Sequence, residues 1–75
     1  MSMKKEIARQ IQIIEAEIKE LEIKRSRSQA ALIEALISRR TPEESEMRFF
    51  RQYTADIEVK RDQLAILNKR LESLV

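Results

Sequence analysis

The glutamates are the side chains of this sequence with the widest range of possible chemistry, because carboxylates serve as general acids and bases and as metal ligands. They cluster at residues 15–22 and 43–46. Di-iron helical bundles combine such glutamates with histidines, and this sequence contains no histidine. Glu20 lies four residues before Lys24, which is the spacing of an ordinary ion pair on a helix surface. The glutamates therefore predict a charged helix surface rather than a catalytic or metal site.

Other kinds of catalysis lack their usual residues. Without histidine and cysteine, the chain has neither the commonest general base nor a thiol nucleophile, and both main ligands of zinc are missing. Without glycine it cannot form a Gly-rich loop that binds phosphate. Ser26, Ser28 and Ser38 have no base to activate them. We therefore expect a protein that is not an enzyme and that carries no metal or other cofactor.

Two groups of basic residues are candidates for binding an anion or a nucleic acid. The basic belt consists of Lys24, Arg25, Arg27, Lys60 and Arg61, and the tip arginines are Arg39, Arg40, Arg48 and Arg51. The tip arginines accompany Phe49, Phe50 and Tyr53, and basic residues among aromatic ones can bind single-stranded nucleic acid by stacking. The aromatic residues nevertheless recur at helical core spacing, which favours packing within the protein. For the belt, the favoured interpretation is long side chains that cover the core and carry their charges to solvent.

Two long helices must position these residues. Charged residues make up 37% of the 75-residue chain, alongside many Ile, Leu and Ala, a composition typical of long helices and coiled coils. Apolar residues recur at alternating spacings of four and three, the a/d pattern of a coiled-coil seam, over stretches too long for strands. The first seam runs through Ile7, Ile11, Ile14, Ile18, Leu21, Arg25, Ser28, Leu32 and Ala35. The second runs through Phe50, Tyr53, Ile57, Lys60, Leu64, Leu67, Leu71 and Leu74.

The single proline separates the two seams. Pro42 lacks the N–H of a continuous helix and disfavours the α conformation for Thr41, so we expect Thr41 as the N-cap of the second helix and Glu44 as its capping-box partner. The heptad phase also slips here, which favours a hairpin over one kinked helix. The prediction is one all-α domain, residues 1–75, folded as an antiparallel two-helix hairpin or coiled coil. Helix 1 spans about 3–39, the turn about 40–41 and helix 2 about 42–74.

The hairpin implies a register, because antiparallel seams pair an a residue with a d residue. One register that meets this rule pairs Ile11 with Leu74, Ile14 with Leu71, Ile18 with Leu67 and Leu21 with Leu64. It also places Arg25 and Lys60 in one layer. Two cations there cannot both be buried unpaired, and such a polar layer can also specify register.

Both helices carry apolar residues that the seams do not use. This second apolar line comprises Ile13, Ala16, Ile23, Ala30, Ile33, Ile37, Ala55, Val59 and Ile66. A two-helix protein of this size has a thin core, and a large exposed apolar surface commonly marks an interface. We therefore expect a homodimer that forms a four-helix bundle, or docking on a larger protein, in preference to a stable monomer.

Charge and hydropathy suggest where the chain works. No run of residues is apolar enough to span a membrane, and the N-terminal residues lack the apolar core of a signal peptide. We expect a cytoplasmic protein without membrane contact. Export by a route that needs no signal peptide is the alternative. The net charge of +2 comes from interleaved acidic and basic residues. A net charge this small attracts an acidic partner only weakly.

In length, helix–turn–helix organisation and heptad pattern, the whole chain resembles several unrelated small bacterial or phage hairpin proteins. They include the Rop-type dimers of plasmid copy control and the small co-chaperones of type III secretion needles. The resemblance implies a bacterial or phage hairpin that works by assembly. The predicted function is a small non-enzymatic protein–protein interaction module of the adaptor, co-chaperone or inhibitor type. A nucleic-acid-binding hairpin that uses the basic residues is the alternative.

Overall fold

The structure, a computed structural model, describes residues 2–74. Met1 and Val75, the ends of the predicted domain, lie outside the described residues. Two α-helices, α1 at Met3–Ile37 and α2 at Glu44–Glu72, pack against each other in a rod of 56 × 16 × 14 Å. The predicted all-α helical hairpin is confirmed. Within residues 2–74, neither helix combines the length and the apolar character needed to cross a membrane.

The first helix ends two residues earlier than predicted, in a turn that glycine would usually make. Arg39 has a φ of 56°, in the left-handed region that glycine adopts without strain. Its N–H donates to the carbonyl of Leu36 at 3.1 Å, and the N–H of Arg40 donates to the carbonyl of Ala35 at 2.8 Å. These two bonds form a Schellman motif, which satisfies carbonyl groups at the helix end.

The second helix begins at Glu44, and the cap predicted for it is wrong. Glu43 is the N-cap, with φ −65° and ψ 138°, and it makes no capping hydrogen bond with its side chain. Thr41 and Pro42 lie in the connection at residues 38–43, so the predicted capping box does not form. Glu44 and Glu46 occupy the first turn, where the helix dipole favours negative charge. The helix also ends two residues before the predicted end.

The two predicted seams form the core. Their buried apolar side chains are Ile7, Ile18, Ile57 and Leu67. Ser28 is buried as well, in the polar middle of the first seam. The remaining seam residues are half-buried, apart from the exposed Leu74. Every buried residue among 2–74 therefore belongs to a predicted seam. The core is a single layer of side chains between the two helices.

The register of the seams differs from the predicted one. Lys60 Nζ lies 3.1 Å from Glu17 Oε2, whereas the predicted register set Lys60 opposite Arg25, about 12 Å along the helix axis from Glu17. At the open end, Ile7 is 4% exposed and Leu74 is 42% exposed, although the prediction gave Leu74 a partner and left Ile7 beyond the last pair. Both observations indicate that α2 has slid along α1 by about seven residues, one heptad.

A slide of one heptad preserves the core pattern, because the a and d positions repeat every seven residues. It brings Lys60 to the level of Ile18, next to Glu17, and moves it away from Arg25. Beside the turn, Leu32 and Glu46 line one cleft, as the slid register requires. Both registers bury the same seams, and the contact between Lys60 and Glu17 identifies the one observed.

Candidate protein interaction surfaces

The hairpin presents two broad faces, one on each side of the core. The cleft face carries a cleft of about 300 Å³ between the helices, lined by Glu17, Lys24 and Val59 among others. The opposite face is marked by an ion pair of 3.5 Å between Arg61 and Glu22. Side chains seven residues apart lie on the same side of a helix. Each of the other surface residues can therefore be assigned to a face by its spacing from the residues of the cleft or of the ion pair.

The nine residues of the second apolar line do not form one surface. All nine are exposed, and helical periodicity distributes them around the rod. On the cleft face lie Ile13, Val59 and Ile66. Along the outer edge of α1, away from α2, lie Ala16, Ile23, Ala30 and Ile37, with Ile33 between that edge and the opposite face. Ala55 lies on the outer edge of α2. The line is thus divided between a stripe one helix wide and a face built from both helices.

Two large apolar residues outside that line are also exposed. Phe49 is 49% exposed and Leu36 is 65% exposed. Phe49 lies on the cleft face near the turn, and its ring stacks on that of Tyr53 with centroids 6.3 Å apart. Phe49 directly precedes the seam residue Phe50, and the orientation of the helix places its side chain beside the seam, on the surface.

The basic belt is largely neutralised by acidic side chains. Three of its five cations pair with glutamates of α1: Lys24 with Glu20 at 3.7 Å, Lys60 with Glu17 at 3.1 Å and Arg61 with Glu22 at 3.5 Å. Arg27 is exposed and Arg25 is half-buried, and within residues 2–74 neither of them forms an ion pair. The predicted layer that contained both Arg25 and Lys60 does not form. The belt is therefore not a concentrated positive patch.

The tip arginines are exposed and share their surface with carboxylates. Arg39 and Arg40 lie in the connection, at the end of the rod. Arg48 lies 3.9 Å from Glu44, and Arg51 lines the same shallow depression as these two residues. The aromatic rings near the turn stack on each other. This part of the surface therefore has mixed charge.

The glutamates do not converge on a point. Among residues 2–74, no group of three or more carboxylates is arranged to hold a metal ion. All glutamates of the two clusters are at least partly exposed, and several form the ion pairs described above. The surfaces thus combine exposed apolar side chains with ion pairs.

Comparison with protein families, with curated proteins and with solved structures found no match to the chain.

Proposed function

We propose that the protein is a small non-enzymatic protein–protein interaction module of the adaptor, co-chaperone or inhibitor type. It works with its helical hairpin assembled against another protein surface. The observation that carries this proposal is the area of the exposed surface. The hairpin exposes 6191 Å², whereas a compact monomer of 8.9 kDa exposes about 4,800 Å² by the usual scaling of surface with mass. The excess of about 1,400 Å² per chain is large enough to supply a specific interface.

Much of this surface is apolar. Ten large apolar side chains of residues 2–74 are exposed, whereas four apolar side chains are buried. Isolated exposed apolar residues are common on soluble proteins. Here they outnumber the buried apolar side chains, and several share a surface, which is typical of an interface. An apolar partner surface would remove these side chains from water. It would also add a second layer of buried side chains to the single layer between the helices.

Two kinds of partner meet this requirement. A second copy of the chain would complete a four-helix bundle, the usual way in which helical hairpins acquire a full core. A larger protein with an apolar groove would cover the same side chains. The cytoplasmic location and the bacterial or phage origin stay predictions from the sequence.

The nucleic-acid alternative has less support from the surface. Binding to a phosphate backbone requires cations that are free to replace counterions. Lys24, Lys60 and Arg61 instead lie within 4 Å of glutamates. A nucleic acid would have to compete with these carboxylates, so protein partners are the proposed ligands.

In-cell chemical crosslinking followed by affinity purification of the full chain tests the proposal. Wild type is compared with two variants, Ile13→Glu/Ile66→Glu on the cleft face and Ile23→Glu/Ile37→Glu on the outer edge of α1. We expect wild type to crosslink to a protein, either itself or another. At least one variant should lose about 90% of that product, because a buried glutamate without a partner costs several kcal/mol.

The matched control is Gln29→Glu, which adds a charge at an exposed polar position. It should leave the crosslinked product unchanged, and far-UV circular dichroism should show that all variants remain helical. A wild-type chain that stays monomeric and crosslinks to no protein contradicts the proposal. A co-purifying nucleic acid whose binding falls steeply with salt would favour the alternative function instead.

A further inference from the structure

We infer that the cleft face binds a second copy of this chain, turned by 180° about the long axis of the rod. Each α1 then packs against α2 of the other copy, and both turns lie at the same end. This inference rests on the proposed function and specifies its partner.

Two pairs of residues on the cleft face, one towards each end, lie at similar heights along the rod, whereas Val59 lies at the height of Glu20. In the observed register, Ile13 of α1 and Ile66 of α2 lie at the same level, and they are 53% and 59% exposed. Closer to the turn, the small Ala31 and the large Phe49 share another level. A two-fold axis along the rod exchanges α1 and α2 without changing height. It therefore places Ile13 against Ile66 of the second copy, and the ring of Phe49 against the small side chain of Ala31.

One pair of opposite charges on this face is matched in a similar way. Lys24 and Asp56 lie at about one level and line the same cleft. The two-fold axis brings Asp56 near Lys24 of the second copy, which also pairs with Glu20 of its own helix at 3.7 Å, and this contact favours the alignment over displaced ones. All neighbouring helices in the resulting bundle are antiparallel, so their dipoles oppose one another.

The area of the face suits a stable dimer. The rod measures 56 × 16 Å in projection, so a copy that covers one broad face buries on the order of 800–900 Å² per chain, the size of a standard interface. The cleft, with Leu21 and the half-exposed Val59 in its lining, lies near the middle of that area and would be closed.

The other surfaces are less suitable for a second copy. The outer edge of α1 is only one helix wide, with Ile23 and Ile37 as its large side chains. The opposite face carries the Arg61–Glu22 ion pair, as the cleft face carries the Lys60–Glu17 pair, so ion pairs do not distinguish the two faces. Among the described residues, the opposite face has no large exposed apolar side chain in its open half.

Sedimentation equilibrium of the purified full chain over a range of concentrations tests the face. Wild type should be a dimer, and Ile13→Glu/Ile66→Glu should raise the dissociation constant at least about 100-fold, because four glutamates would enter one interface. Ile23→Glu/Ile37→Glu is the matched control, with the same substitutions on the outer edge, and should change it by less than about threefold. Dissociation by the control variant, with a dimer retained by the cleft-face variant, would overturn the inference.

Disulfide trapping tests the orientation with substitutions that keep the face apolar. The chain has no cysteine of its own. Mixing a chain with Ile13→Cys and a chain with Ile66→Cys should yield a crosslinked heterodimer after mild oxidation. A copy turned end over end would instead bring Phe49 near Ile66. Preferential crosslinking of Phe49→Cys with Ile66→Cys would therefore refute the arrangement, even if the cleft-face glutamate variant failed to fold.

The outcomes separate this inference from the proposed function. A wild-type chain that is monomeric at all concentrations but crosslinks in cells to a different protein overturns the inference and leaves the proposed function standing. A monomer that also lacks any protein partner overturns both.

Discussion

Replacing Ile57 with alanine should remove much of the stability of the hairpin. Ile57 is 0% exposed and lies in the middle of the second seam, at the level of Leu21 in the observed register. The substitution deletes three carbon groups, which loses about 2 kcal/mol at about 0.8 kcal/mol for each buried group. The cavity that remains raises the cost to about 3 kcal/mol, since two helices held by one seam can close it only in part.

This loss is large for such a small protein. A domain of 75 residues has a free energy of unfolding of about 4–11 kcal/mol at the usual stability per residue. A loss of about 3 kcal/mol from that range is at least a quarter of the total. The core provides few other buried side chains that could compensate. Ile57→Ala should therefore be partly unfolded at moderate temperature.

Urea unfolding followed by far-UV circular dichroism measures the effect at one protein concentration. The matched control is Ile23→Ala, which removes the same atoms from a residue that is 49% exposed and lies outside both the core and the proposed dimer face. It should cost less than about 1 kcal/mol, as surface substitutions usually do. If the two variants lost equal free energy, or if Ile57→Ala lost less than about 1 kcal/mol, the assignment of Ile57 to the core would be refuted.

Three further predictions concern the turn, the ion pair and the register. Arg39→Gly should stabilise the hairpin by about 0.5–1 kcal/mol in thermal unfolding, because a left-handed conformation costs a non-glycine residue about 1–2 kcal/mol and glycine's greater freedom when unfolded offsets part of the gain. A double-mutant cycle of Glu17→Gln and Lys60→Met should give a coupling of about 0.5–1 kcal/mol that weakens with salt, since both side chains are partly exposed. Ile14→Cys/Leu64→Cys should form an intramolecular disulfide, detected by mass spectrometry of the oxidised chain, because the slid register sets these residues in one layer.

Each of these predictions has a control in the chain. Arg40→Gly lies one residue beyond the left-handed position and should not stabilise the turn. If Arg39→Gly gave no gain either, Arg39 would not carry the strain assigned to it. Ile14→Cys/Leu71→Cys joins the pair that the sequence-based register predicts. If this disulfide formed faster than that of Ile14→Cys/Leu64→Cys, the helices would not have slid. A coupling that did not change with salt would contradict the partly exposed ion pair between Glu17 and Lys60.

The heptad pattern predicted which residues are buried but not how the helices align. Ile7, Ile18, Ile57 and Leu67 are buried as expected, because a repeat of seven residues on a helix of 3.6 residues per turn defines one continuous stripe. The same repeat makes registers that differ by one heptad equivalent in their a and d pairs. Only local contacts such as the one between Lys60 and Glu17 distinguish between them.

The turn shows a second limit of sequence reasoning. Pro42 predicted correctly that the helix must break, since it lacks an N–H donor. The end of α1, however, depends on the left-handed conformation of Arg39, and arginine carries no preference for that conformation. A glycine at position 39 would have predicted the end of α1. As a result, the predicted end of α1 was displaced. The expected cap at Thr41 was also wrong, since Glu43 is the N-cap of α2.

The order of apolar, charged and proline residues by itself determined that this chain forms two long helices joined near residue 42, and which stripe of each helix is buried. These features follow from local periodicity and backbone chemistry. The tertiary structure alone decided how far one helix slides along the other. Because of that slide, Lys60 pairs with Glu17 and the predicted layer of Arg25 and Lys60 does not form. The same slide brings Ile13 and Ile66 to about the same height on one face. Such choices depend on contacts between the helices in three dimensions, and a repeat that matches itself every seven residues carries no information about them.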